Sequence, residues 1–451
     1  MLEKIFSEKQ IKRDADDLLH WGKDWANGFT VAPSAVVFPE NNEQVVELVT
    51  YAASEGVALV PSGGRTGLSG GAIASNGEVV VSFDKMNRIL DFKPEDRLVS
   101  CQAGVITQTL QAFAEEQGYF YPVDFASSGS SQIGGNVSTN AGGIKVIRYG
   151  LTRDWVAGLR VVTGTGDLLD CNSGLVKNAT GYDLRHLMIG AEGTLGLVCE
   201  VDIRLAEAPL PQTVMVVGVP KVGDLLEVLR TFSNQVTLSA FEFFSDITLA
   251  KVTAHRDLAQ PLSESVPFYA LLEFDEPALE KASDAFTQCM DKGWVVDGVV
   301  SQSEQQAASL WQLREGISES LAPFTPYKND LSVCISEVPG FLEDVDQFVE
   351  KSYPGFEVCW YGHIGDGNLH LNILKPDDLT VEEFMAKGHE MSPSIFALVA
   401  QRNGSISAEH GVGLLKKDFL GYSRSEAEIT LMKGLKQLFD PHQILNPGKL
   451  L

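Results

Sequence analysis

Residues 124–150 read DFASSGSSQIGGNVSTNAGGIKVIRYG (Asp124–Gly150), and the rest of the chain is organised around them. They hold six glycines, five serines and a threonine, with no acid after Asp124, in a chain whose formal net charge is -25. Such a composition builds no core of its own. It offers backbone N–H groups without bulky neighbours, hydroxyl donors, and glycines free to take positive φ where a ligand comes close to the main chain. Those features suit a wrapped, diphosphate-bearing ligand. Ile133, Val137, Ile144, Val146 and Ile147 punctuate the stretch and set it apart from a Gly/Ser linker. Two named phosphate loops are excluded. Gly129-x4-Gly134 is followed by Gly135-Asn136 where a P-loop needs Lys then Ser/Thr, and no GxGxxG turn opens a βαβ unit.

A second cluster, Pro61-Ser62-Gly63-Gly64-Arg65-Thr66-Gly67-Leu68-Ser69-Gly70-Gly71, follows the apolar run Val57–Val60, so a strand delivers an N–H-rich loop with one cation in its middle. Two more stretches follow: Lys177-Asn178-Ala179-Thr180-Gly181-Tyr182-Asp183-Leu184 and Ile189-Gly190-Ala191-Glu192-Gly193-Thr194-Leu195-Gly196. In order and spacing the four together resemble the flavin domain of the vanillyl alcohol oxidase superfamily, in its branch of D-2-hydroxyacid dehydrogenases. The resemblance implies an α+β chain: a vanillyl alcohol oxidase/p-cresol methylhydroxylase-type FAD-binding domain, and an antiparallel-sheet substrate cap with helices on one face. It assigns FAD contacts to Pro61, Gly63, Gly64, Arg65, Thr66, Gly67 and Ser69 in the first loop. In the central stretch it assigns Ser128, Gly134, Gly135, Asn136, Thr139, Asn140, Gly142, Gly143, Tyr149 and Gly150, and later Glu192, Gly193, Gly196 and Asn446. No histidine lies between His20 and His186, so noncovalent FAD is expected.

At 451 residues the chain is too long for one core, and its composition, 44% hydrophobic, lets it bury two or three domains. Sixty acids against thirty-five bases repel nucleic acid, so an anionic substrate needs a local cationic pocket. The six cysteines, at 101, 171, 199, 289, 334 and 359, form no CxxC pair, which predicts reduced thiols. The opening MLEKIFSEKQIKRDADD lacks the apolar region of a signal peptide and is too acidic for a transit peptide. With no apolar run near the roughly 18 residues that span a bilayer, a soluble, cytoplasmic chain is expected.

Hydrophobic periodicity divides the chain. After a polar helical lead-in over 1–34, strands and helices alternate (helix Asn42–Glu55, strand Val57–Val60, helix Thr107–Gln117), and a strand over Leu197–Leu205 closes the first domain. Pro209-Leu210-Pro211 marks a boundary, giving an FAD-binding domain over 1–208 and a substrate and metal domain over 209–410. The segment 411–451, a helix stopped by Pro441 and Pro447, resembles the family's C-terminal tail, which returns to the flavin.

The second chemical centre is Trp360-Tyr361-Gly362-His363-Ile364-Gly365-Asp366-Gly367-Asn368-Leu369-His370-Leu371-Asn372. Asp-Gly between alternating apolar residues predicts a two-residue type I′ turn, which sets His363 directly across from His370, with Cβ atoms about 4.5–5.5 Å apart. Period two puts Tyr361 and Asn372 on the same face. Ser405-Ile406-Ser407-Ala408-Glu409-His410-Gly411-Val412-Gly413 adds an acid and a third histidine after a short strand. Two His and a carboxylate suit Zn²⁺ or Mn²⁺ as a Lewis acid with room for substrate.

These two motifs resemble the metal and catalytic motifs of D-2-hydroxyglutarate and related D-2-hydroxyacid dehydrogenases. The resemblance makes His363, His370 and Glu409 the metal ligands and His410 the general base, and places Asn372 near substrate. It matches Arg314 and Ser318, on a predicted helix over Glu304–Leu321, and Lys328 to positions around the substrate carboxylates. Cys334 stands where relatives carry proline. The expected reaction is FAD- and metal-dependent oxidation of a D-2-hydroxyacid, D-2-hydroxyglutarate or D-malate foremost. Its electrons pass to an acceptor such as an electron-transfer flavoprotein, a quinone or a cytochrome, and a homodimer is compatible with it. The alternatives are D-lactate or glycolate as substrate, a flavin-carrying subunit of a larger complex, and a metallohydrolase, which would be colourless.

Overall fold

The computed structural model describes residues 2–451, and they fall into two compact units. The first comprises 1–143, 150–208 and 409–451; the second comprises 144–149 and 209–408.

Two larger sheets build the first unit, beside a two-stranded pairing of Ala206–Glu207 with Tyr119–Phe120. One runs Ile11–Lys12, Ala35–Val37, Val79–Ser82, Leu59–Ser62, parallel across its last three strands. The other is antiparallel, in the order Ile89–Lys93, Leu98–Gln102, Gly196–Arg204, Val156–Thr163, Leu168–Cys171. Helix Asn42–Glu55 spans the predicted residues: Asn41 caps it by accepting from the Gln44 N–H, Gly56 ends it at φ 67°, and Val45, Leu48, Val49 and Ala52 form its buried stripe. The lead-in is only partly helical, because Ile11 and Lys12 pair with Val37 and Val36 as an edge strand.

The central glycine-rich stretch departs from the loop reading. Ile133–Thr139 is a helix, with Ile133 and Val137 fully buried in the core. A glycine is needed inside that helix because a Cβ on Gly134 would lie 2.6 Å from the Ala103 Cβ. After helix Glu426–Phe439, capped reciprocally by Ser425 and Glu428, the tail returns to Leu59, whose N–H donates to Ile444 O at 2.7 Å and whose carbonyl accepts from Asn446 N–H at 2.7 Å.

The second unit is built on a seven-stranded sheet in the order Asp297–Val300, Gln212–Val219, Phe268–Asp275, Leu238–Ser245, Glu357–His363, Asn368–Leu374, Tyr327–Ser332, antiparallel throughout. The α+β class and the antiparallel sheet are as expected, but helices lie on both faces. Leu249, Val252, Leu313 and Ile317 pack with Phe244, Leu271 and Tyr361 on one, while Phe286 of helix Leu279–Lys292 lies over Gly298 on the other. The predicted helix over 304–321 breaks at Gly316 into Glu304–Glu315 and Ile317–Leu321. Gly316 lies so close to Arg256 that a Cβ would stand 2.8 Å from its Nε. Cys334 sits at φ -54°, within the range of a proline, so the substitution leaves that backbone undisturbed.

Among the described residues no helix is long and apolar enough to cross a membrane. All six cysteines are free thiols.

Candidate active site

In the first unit the two glycine-rich stretches lie against each other. A Cβ on Gly64 would stand 2.1 Å from Ser130 O, Gly63 faces Gly135 and Gln132, and Gly193 is pressed onto Pro61. Asn446 joins them, donating to Gly71 O at 2.9 Å and Glu192 O at 2.7 Å. Arg65, at φ 60°, donates to Gly63 O and pairs with Asp84 at 3.5 Å, and Trp21 and Gln132 also donate to that carboxylate. The space above Gly135 is open to 4 Å, and the buried oxygens Gln132 Oε1 and Asn446 Oδ1 have no partner in the protein. An open glycine backbone beside two unpaired acceptors fits FAD, which brings hydroxyl and N–H donors together with a diphosphate.

Other expected FAD residues hold the cradle's shape through protein contacts. Asn136 donates to Thr107 Oγ1 at 2.7 Å, Thr139 Oγ1 to Gly135 O, and Asn140 Oδ1 accepts from the Arg153 N–H. Ser128 donates its N–H to Phe125 O, and Gly67 O accepts from Trp25. Gly143, Gly150 and Gly196 serve close packing: a Cβ on each would stand 2.3 Å from Asp124 O, Asp154 Oδ2 and Val161 Cγ1 respectively. Thr66 is half-buried in the first loop, and Tyr149, under the Arg148 guanidinium at 5.2 Å, belongs to the second unit.

The segment after Ala408 is anchored on the same cradle. Gly142 lies against Glu409, 3.4 Å from its Oε1 to an added Cβ. Ser69 Oγ donates to Gly411 O at 3.0 Å, and the buried Glu192 carboxylate accepts from the N–H groups of Val412 at 2.7 Å and Gly413 at 2.8 Å. Glu192 therefore aims its side chain at the loop following His410.

The second unit gathers the remaining residues on one face of its sheet. The hairpin differs from the expected register: His363 pairs with Asn368, Gly362 with Leu369 and Tyr361 with His370, leaving a four-residue loop over 364–367. Ile364 is withdrawn into the core, Asp366 N–H donates to His363 O, and Asp366 Oδ1 accepts from the Asn368 N–H, which together stabilise the longer turn. The pairing has slipped by two residues, and a two-residue slip keeps side chains on the same face. The histidines thus become diagonal neighbours, ring centroids 5.3 Å apart at 81°.

Cross-strand rows then read Ser332–Asn368–His363, Asp330–His370–Tyr361–Phe244 and Lys328–Asn372–Cys359. Lys328 Nζ donates to Ser318 Oγ at 3.1 Å. The Arg314 guanidinium lies 4.8 Å above the Tyr361 ring, and burial pushes the Tyr361 phenol pKa up, so it stays neutral. Asn372 is buried and its Oδ1 has no protein partner.

Two acids that sequence reasoning passed over complete this face. Glu242, 0% exposed in the strand Leu238–Ser245, accepts from Arg314 Nε at 2.8 Å and from His363 Nδ1 at 2.8 Å. Asp330 accepts from Asn368 Nδ2 at 2.8 Å and from the Ala408 N–H at 3.1 Å, and lies 3.7 Å from His370 Nδ1. Each histidine thus has a carboxylate on its Nδ1 side, the usual arrangement around a metal-binding imidazole. The one sequence signal for Glu242 was a lone acid in the apolar run LSAFEFFS.

Comparison with known proteins agrees with both units. Residues 33–172 match the FAD binding domain family, and residues 208–450 match the C-terminal domain of FAD linked oxidases. A D-2-hydroxyglutarate dehydrogenase of Stutzerimonas stutzeri is 57% identical over 100% of this chain and 97% of its own. A mitochondrial D-2-hydroxyglutarate dehydrogenase of Bos taurus is 37% identical over 100% and 82%. Among solved structures, p-cresol methylhydroxylase superposes with a TM-score of 0.77 at 15% identity, covering 100% of this chain and 95% of that one. Alkyldihydroxyacetonephosphate synthase gives 0.74 at 18%, covering 99% and 83%; at such identities the likeness is one of fold. The chain belongs to the FAD-linked oxidases, in the family of the D-2-hydroxyglutarate dehydrogenases.

Proposed function

We propose that the protein oxidises D-2-hydroxyglutarate to the corresponding 2-oxoacid, using FAD held by the glycine cradle and a divalent metal, Zn²⁺ or Mn²⁺, held by His363, His370 and Glu409. The observation that carries this reading is the single sheet face that gathers two histidines, each beside a carboxylate, with Arg314, Ser318, Lys328 and Asn372. When bound, FAD supplies a two-electron acceptor and the metal a Lewis acid. The protein's own residues do the rest. His410 takes the proton of the substrate hydroxyl. Arg314, Lys328 and Ser318 hold carboxylate oxygens through charged and neutral donors, and Asn372 orients the acid through its buried amide. The neutral Tyr361 and the apolar residues around it exclude water. The electrons then pass to an external acceptor such as an electron-transfer flavoprotein, a quinone or a cytochrome.

The absorption spectrum tests this. The purified protein is expected to be yellow and to bleach anaerobically on adding D-2-hydroxyglutarate, more slowly with D-lactate, and not at all with D-2-hydroxyglutarate after strong chelation until Zn²⁺ or Mn²⁺ is restored. A protein that bleaches fully while elemental analysis finds it metal-free would remove the metal from the reading. Faster bleaching by D-lactate would move the protein to a monocarboxylate substrate.

A further inference from the structure

We infer that Glu242 is a positioning residue shared by two parts of the reaction: it fixes the tautomer of His363 so that Nε2 is offered to the metal, and it holds Arg314 in place for the substrate. The inference deepens the reading above and rests on His363 being a metal ligand.

The argument begins with burial. Glu242 lies in a strand with every residue buried, and its side chain is 1% exposed. A carboxylate taken out of water in such a place is costly unless every oxygen meets a donor, and a charged donor above all. Both oxygens do: Oε2 accepts from Arg314 Nε and Oε1 from His363 Nδ1, at 2.8 Å each. The Arg314 side chain is itself only 8% exposed, so the pair is an internal one and little weakened by solvent.

An ionised carboxylate only accepts, so the proton of the neutral His363 ring is on Nδ1 and the lone pair on Nε2. Arg314 Nη2 stands 3.5 Å from that Nε2, a donor facing a lone pair. The same carboxylate holds only the Nε edge of the guanidinium, while Nη2 faces His363 Nε2 and Nη1 is not bonded to Glu242. Removing Glu242 therefore releases a ligand's tautomer and a substrate-binding cation in one step. A carboxylate that merely balanced the charge of Arg314 would have no effect on metal affinity passing through His363.

The test uses the intact flavoprotein stripped of metal by a chelator and titrated with Zn²⁺ by calorimetry, in the wild type, Glu242→Gln, His363→Ala and the double variant. Glu242→Gln is expected to keep its flavin and weaken Zn²⁺ binding by about 10- to 100-fold, the usual effect of losing a carboxylate behind a metal-binding histidine. In the His363→Ala background the further loss on adding Glu242→Gln is expected to fall below about twofold, since the histidine through which it acts is gone. Unchanged Zn²⁺ affinity in Glu242→Gln, or full multiplication of the two losses, overturns the inference while leaving the metal reading intact. A wild type that takes up neither Zn²⁺ nor Mn²⁺ overturns the metal reading and this inference with it. A second measurement needs no variant of Glu242. The ¹⁵N-histidine spectrum of the metal-stripped wild type, with the His363 signals identified by their loss in His363→Ala, is expected to show a protonated Nδ1 and a bare Nε2. The opposite tautomer overturns the proposal.

Discussion

His410 precedes Gly411, whose carbonyl accepts from Ser69 Oγ and so fixes the backbone on that side. Replacing it with alanine is expected to keep flavin and metal and to lower turnover by about 10²–10⁴-fold, the usual contribution of a general base. Glu409→Ala should lose metal as well, read by elemental analysis; the reverse pattern would mean that ligand and base are exchanged. Arg314 has only its Nε committed to Glu242, and a hydrogen bond to a charged group contributes about 1.5–3 kcal/mol. Arg314→Ala should therefore cut kcat/KM for D-2-hydroxyglutarate roughly 10- to 150-fold and that for D-lactate less. Equal losses would assign Arg314 to the C1 carboxylate common to both acids. Lys449 makes a separate prediction. It is 2% exposed, and burial pushes its pKa down to about 8 against the opposing pull of Glu78 and Asp24. In the unfolded chain it titrates near 10.4, so between about pH 8 and 10 the unfolded chain binds a proton that the folded one does not, and stability rises with pH there. Thermal melts from pH 7 to 10 should show the wild type gaining on Lys449→Met; a constant gap would place the Lys449 pKa near its ordinary value.

At the scale of elements, what was legible followed from period and chemistry together. Helix Asn42–Glu55 was legible from the spacing of its apolar residues, and Val45, Leu48, Val49 and Ala52 are the residues it buries. The His363 hairpin was recognisable, but its register was not, because Asp366-Gly367 also ends a four-residue turn when the first residue of that turn is better buried. Ile364 at 0% exposure decides that competition. The face shared by the histidines survived the error because it depends on parity, whereas the expected direct pairing depended on loop length. The strand Leu238–Ser245, wholly buried and without alternation, gave no period to read, and Glu242 was missed with it. The turn can be tested through Gly367, which sits at φ 84° with a would-be Cβ 2.2 Å from Val333 O. Gly367→Ala must distort that loop, since a left-handed conformation alone costs about 1–2 kcal/mol in an L-residue and the carbonyl contact adds to it. A lowered melting temperature with weakened Zn²⁺ binding is expected. An unchanged melt would show that the loop adapts freely.

Across the whole molecule, the flavin unit was legible because cofactor loops are local in sequence, four stretches each with its own composition. Residues 144–149 were harder to read, since they group with the second unit while their sequence neighbours group with the first, by contacts that no local pattern encodes. How the flavin is held turns on the nucleophiles of the first unit. Covalent attachment needs an accessible nucleophile beside the isoalloxazine, and in the first unit the candidates are few. His20, His186 and His442 are exposed, with His186 tied to Asp183 at 3.6 Å, and His410 is half-buried. Cys101, Cys171 and Cys199 are buried in the core; burial pushes the Cys101 thiol up to about 12 and raises the other two. Such thiols are protonated at neutral pH and are poor nucleophiles. Acid precipitation should therefore release the flavin wholly into the supernatant, and the precipitated chain should have the mass of its unmodified sequence. Yellow colour remaining in the pellet, with a mass increase equal to one FAD, would show a nucleophile that the fold exposes only when the cofactor is bound.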